Sequence, residues 1–127
     1  MSANARVHDA ARLLGSLRSG AARPAALPGA LAPRSEAESY EVQAELAQQL
    51  GARIGGWKSA MSGPERGQAA PLYRAEIYDS PARVLAPGND GVGVEPEIAF
   101  TLGRDLDALP GGRRYGLAEL EGAIRCV

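Results

Sequence analysis

Apolar positions along this chain fall into segments of helical spacing at the start and end, with strand-like runs between. Val7, Ala10, Ala11, Leu14 and Leu17 recur every three or four residues, which predicts a first helix closed by Gly20. Pro24, Pro28 and Pro33 follow too closely for a helix interior, so residues 21–34 read as an extended Ala/Pro-rich connector. Ser35 and Glu38 make a capping-box signature, opening a second helix. Tyr40, Ala44 and Ala47 mark one stripe of it and Val42, Leu46 and Leu50 an adjoining one, with Gly51 as its stop. Short strands are predicted around Arg53–Trp57 and Leu72–Tyr78, and the strongest one over Val92–Leu102. Leu117, Leu120 and Ile124 return to helical spacing. The order of elements is α+β: N-terminal helices followed by strands.

The run Glu95-Pro96-Glu97-Ile98-Ala99-Phe100 is sided. In a strand, Glu95, Glu97, Ala99 and Thr101 share one face, and Pro96, Ile98, Phe100 and Leu102 the other. Two carboxylates on one face repel, and glutamate is a poor strand former. Their Cα atoms would sit roughly 7 Å apart at the rise of a strand, close enough to share a hard cation such as Mg2+ or Mn2+. The competing reading is an edge strand, marked by Pro96, whose solvated charges block unwanted pairing.

Composition narrows the function classes. The 127 residues suffice for one domain, but the 45% hydrophobic content is alanine-heavy, with one Trp, one Phe and four Tyr, so the expected core is thin. Fourteen basic and fifteen acidic residues leave a formal charge of −1, without the basic footprint of a nucleic-acid binder. Cys126 has no disulfide partner, and neither it nor His8 belongs to a cluster with zinc-ligand spacing. No apolar run reaches the length of a membrane span, so a soluble cytoplasmic setting is expected.

Lys58, in Gly55-Gly56-Trp57-Lys58, is the sole lysine beside thirteen arginines. A guanidinium keeps its charge, whereas an ammonium gives up its proton when partly desolvated, so a retained lysine suits proton transfer. The simpler alternative is a solvated surface group left by arginine bias. The paired glycines fit a backbone that lets a ligand come close.

Taken in order, several blocks resemble the 2-keto-4-pentenoate hydratases and related decarboxylases of the fumarylacetoacetate hydrolase superfamily. These are Ala10-Ala11-Arg12-Leu13-Leu14, Tyr40-Glu41-Val42-Gln43, Gly56-Trp57-Lys58, Ala70-Pro71-Leu72-Tyr73 and Val94-Glu95-Pro96-Glu97-Ile98-Ala99-Phe100, the last leading into Leu102-Gly103-Arg104-Asp105-Leu106. The resemblance implies an enzyme of aromatic meta-cleavage catabolism that hydrates 2-hydroxypenta-2,4-dienoate or a similar 2-oxo acid. It implies Glu95 and Glu97 as ligands of Mg2+ or Mn2+, and Lys58 as a catalytic residue beside them. The cation would chelate the substrate carboxylate and its 2-oxygen. The implied fold is a mixed β-roll, of which residues 1–34 give the N-terminal helix and connector and residues 35–127 the first part of the catalytic domain. The family's third carboxylate ligand follows the segment matched by Ala123-Ile124-Arg125-Cys126-Val127, so an incomplete domain, inactive alone, is expected. Neither Glu76 nor Asp79 matches the aspartate some hydratases carry after the Leu72-Tyr73 position. A 2-oxo-acid decarboxylase such as 4-oxalocrotonate decarboxylase, a carbon–carbon bond hydrolase and a non-catalytic assembly module stay open as alternatives, as does self-association into a homo-oligomer.

Overall fold

The computed structural model describes residues 2–20, 24–63, 66–84 and 93–127. Helices and two small antiparallel sheets place the chain in the α+β class. It divides into two compact units, Met1–Arg83 and Val84–Val127. Among the described residues no helix is long and apolar enough to cross a membrane.

In the first unit, helix α1 spans Ala3–Arg18, capped by the Ser2 hydroxyl accepting from the Ala5 N–H at 3.3 Å. Helix α2 spans Glu36–Gln49, capped by Ser35, whose hydroxyl accepts from the Glu38 N–H at 3.1 Å. Gly20 and Gly51 follow their ends at φ 96° and 57°, the left-handed conformation that a residue without a Cβ adopts at little cost. The helices meet through Val7, Ala10, Ala11, Val42 and Leu46, with Leu14 and Leu31 packed alongside. Ala10 and Ala11 are fully buried, so small side chains bring the backbones together where larger ones would hold them apart.

The reciprocal half of the expected capping box is diverted. Glu38 turns its carboxylate to the Arg34 N–H, which donates to Oε2 at 2.6 Å, and to Arg6 of α1. The Arg6 Nε donates to Oε1 at 2.8 Å, and Nη2 completes the pair. Both side chains are buried. The connector is not simply extended. The Pro28 carbonyl accepts from the N–H groups of Leu31 and Ala32, a turn that delivers Leu31 to the helix pair; residues 21–23 lie outside the described residues.

Strands β1 (Ile54–Gly63) and β2 (Arg66–Tyr73) pair antiparallel. β1 outruns the expected Arg53–Trp57, and β2 begins earlier and ends sooner than Leu72–Tyr78. After Tyr73 the chain turns into a short 3-10 helix, Arg74–Glu76. The paired glycines also find another use. A Cβ on Gly55 would stand 2.8 Å from Ile77 Cδ1 and 2.9 Å from Arg74 Cα, so its bareness admits the returning chain rather than a ligand. The hairpin is tied to α1 by Arg18, which pairs with Glu76 and lies 4.8 Å from the centre of the buried Tyr73 ring.

In the second unit, the strand expected over Val92–Leu102 is largely absent. Only β3 (Thr101–Leu102) joins a ladder, with β4 (Ile124–Cys126). Residues 93–100 form none, and Val92 lies outside the described residues. Alternation prepares a segment for a sheet, but a ladder needs a neighbour, and β4 reaches only residues 101 and 102. The terminal helix is also shorter than its spacing suggested. α3 covers Leu117–Glu121 and stops at Gly122, leaving Ile124 to β4. The Glu119 carboxylate anchors α3. It accepts from the Gly116 N–H at 2.7 Å and from both Nη atoms of Arg113 at 2.9 and 3.0 Å, which hold its pKa down at about 2.

Two measurements test the helix pair. Leu46→Ala should lower stability by about 2–5 kcal/mol in urea titration, as expected for truncating a buried leucine. The Arg34 N–H, then the Arg6 guanidinium, hold the Glu38 carboxyl below its ordinary 4.5. A carboxyl depressed on folding contributes its full stability above the unfolded value and loses it as pH falls through the folded one. Helical circular dichroism in urea should therefore fall on acidification below about pH 4.5, and Glu38→Gln should flatten that dependence.

Candidate functional site

Lys58 lies on β1, exposed, directly across the ladder from Ala70. Its neighbours Trp57 and Gly56 stand opposite Pro71 and Leu72. The Gly56-Trp57-Lys58 and Ala70-Pro71-Leu72-Tyr73 blocks, separate in sequence, thus form one antiparallel pair. Alternation puts Lys58 and Ala60 on one face of the hairpin and Trp57 and Met61 on the other.

That lysine face borders a cavity of about 300 Å³, whose opposite wall is α2. Glu36, Ser39, Tyr40 and Gln43 line it from the helix, and Lys58 and Gln68 from the hairpin. The four α2 positions recur at i, i+3, i+4 and i+7, one continuous face. They differ from Glu38, Val42 and Leu46, which are buried in the helix pair. The Tyr40 hydroxyl accepts from the Ala69 N–H at 3.3 Å, joining the helix to β2 one residue from the Lys58–Ala70 pair. The buried Gln43 Oε1 has no hydrogen-bond partner among the described residues. The cavity therefore carries an ammonium, a carboxylate, hydroxyls and amides, with small alanine side chains between them. Such a wall suits a small polar ligand bearing a carboxylate and an oxygen donor. Sequence reasoning placed Tyr40 in an apolar stripe; the polar spacing from Glu36 to Gln43 is the signal that points to the cavity.

Glu95 and Glu97 lie in the second unit, both exposed, in the segment 93–100. Carboxylate oxygens are suitable donors for a hard divalent cation. Among the described residues no group of three or more His, Cys, Asp and Glu side chains gathers, and two protein ligands leave such an ion largely hydrated. Lys58 belongs to the first unit and this pair to the second.

Two other residues of interest are surface groups. Cys126 is exposed on β4. His8 sets Nδ1 2.8 Å from Glu45 Oε1, across from α1 to α2. The Gln49 amide and the His8 ring hold the Glu45 carboxyl below its ordinary value.

No family model, curated protein or solved structure matches this chain.

Tyr40→Phe removes the acceptor of the Ala69 N–H while keeping the ring. Hydrogen exchange followed by NMR should show faster exchange at Ala69 and little change at Val42 or Leu46. The side-chain signal of the sole lysine, isotopically labelled, should shift in the same variant, because the strand pair beneath it loosens.

Proposed function

We propose that this chain carries the N-terminal part of a metal-dependent hydratase, with the helices and first strands of a fumarylacetoacetate hydrolase-like mixed β-roll. Its substrate is 2-hydroxypenta-2,4-dienoate or a similar 2-oxo acid. The observation that carries the reading is the register of β1 on β2, which sets two of the resembling blocks face to face, with Lys58 on the cavity side. The order of all the blocks along the chain supports it further.

In this reading Glu95 and Glu97 hold Mg2+ or Mn2+, which when bound supplies neutralisation of charge on the substrate's carboxylate and 2-oxygen. Lys58, as an ammonium, donates a hydrogen bond to a substrate oxygen and passes or recovers a proton at Nζ. Tyr40 fixes the strand beneath it, and the α2 wall limits ligand size. A decarboxylase or carbon–carbon hydrolase of the same architecture shares this machinery, and product analysis separates the hydratase from the decarboxylase. Hydration of the unbranched dienol favours the hydratase, while release of carbon dioxide from its dicarboxylate relative favours the decarboxylase.

Paramagnetic titration tests the ligand pair directly. Substoichiometric Mn2+ should broaden the amide signals of Glu95 and Glu97 before others, and Glu97→Gln should reduce that broadening at least tenfold at equal Mn2+. Uniform broadening, unchanged by the substitution, would remove the metal assignment.

A further inference from the structure

The α2 wall of the cavity beside Lys58 is made largely of groups that accept hydrogen bonds. The Ser39 hydroxyl donates to the Glu36 carbonyl at 2.6 Å. A carbonyl only accepts, so the serine oxygen turns lone pairs, not its proton, to any other neighbour. One turn further on stands Gln43, whose buried Oε1 has no hydrogen-bond partner among the described residues. A buried acceptor left unmet carries the full cost of its lost hydration, which makes this oxygen the group a ligand gains most by meeting. Glu36 and Lys58 set opposite charges in the same wall.

Tyr40, on the same helix face, is fixed in the opposite sense. Its oxygen accepts from the Ala69 N–H at 3.3 Å. An N–H only donates, so this bond takes a lone pair of the phenol and leaves its proton for an acceptor. The cavity thus offers a donor at Tyr40 and an unmet acceptor at Gln43, one turn apart on α2.

Small 2-hydroxy and 2-oxo acids differ at the one atom this pair would read. Both bring a carboxylate for Lys58 and an oxygen that accepts from Tyr40. Only the hydroxy acid also brings a proton, which Gln43 Oε1 accepts; an oxo oxygen would set acceptor against acceptor. The glutamine amide meets a ligand by turning about its terminal torsion, which is soft. The space of about 300 Å³ holds an acid of a few carbons.

We propose that Gln43, with Tyr40, is the specificity-determining residue of this cavity and selects a small acid bearing a 2-hydroxyl over its 2-oxo counterpart. The inference rests on the reading that Lys58 faces the substrate, and adds which form of that substrate enters.

Isothermal titration of the whole chain in EDTA tests it, the chelator setting aside any cation at Glu95 and Glu97. The probes are the two enantiomers of 2-hydroxybutanoate, each alone, and 2-oxobutanoate. One hydroxy acid should bind at least tenfold tighter than the oxo acid and shift the Gln43 side-chain amide signals in NMR. Gln43→Met, which keeps the length without the amide, should bring the two acids to equal affinity. Its urea midpoint should be unchanged or higher, because no unmet acceptor is buried. A lower midpoint with the preference kept assigns Gln43 to the fold and overturns the proposal. Lys58→Met should weaken both acids alike. Equal binding of the two acids, or a preference for the oxo acid, with that lysine effect intact overturns the inference and leaves the lysine site standing. Binding of neither acid, or binding indifferent to Lys58→Met, removes the lysine site and the inference with it.

Discussion

The first unit depends on where one carboxylate goes. Glu38 sits in the first turn of α2, where a negative charge complements the helix N-terminus. It accepts from the backbone just before that helix and from the Arg6 side chain of α1. A buried charge needs such a full set of partners to offset its lost hydration. The arrangement fixes α2 along α1 near Arg6, while Ala10 and Ala11 set how closely the helices approach. With so few large side chains in the core, this polar tie defines the register that alanines alone leave loose. The hairpin then hangs from the helix pair by polar and aromatic contacts, Tyr40 to Ala69 and Arg18 to Tyr73 and Glu76.

Helices were legible because their determinants are local. Ser35, Gly20 and Gly51 act within a few residues, and the stripes of α1 and α2 need no distant information. Strands were less so. Ser59, Ala60, Gly67, Gln68, Ala69 and Ala70 have little strand preference of their own, yet all lie in β1 or β2 because each has a partner across the ladder. Conversely, residues 93–100 have the alternation and yet are not strand. Ile124 kept helical spacing with Leu117 and Leu120, but Gly122 intervenes and β3 claims it.

The candidate site was legible in part for a similar reason. Lys58 stands out by being alone of its kind, and Glu95 and Glu97 by their spacing; both are properties of a string of letters. The cavity wall is a property of packing. α2 turns one face to α1 and another to the hairpin, and only the approach of β1 and β2 shows that Ser39, Tyr40 and Gln43 border the lysine. At Gly55 packing decides what sequence could not: the space a Cβ would take is filled by Ile77 and Arg74, whereas at Gly56 only Leu72 lies in ordinary contact.

A solitary, solvent-reached lysine beside a cavity has a practical side. Acylating dyes find a single side-chain amine in these 127 residues, at Lys58. An α-amine is ordinarily the less basic of the two kinds, so acylation near neutral pH blocks it first and leaves the lysine for a dye added at higher pH. A fluorophore attached there reports on the space between hairpin and helix without any engineered residue.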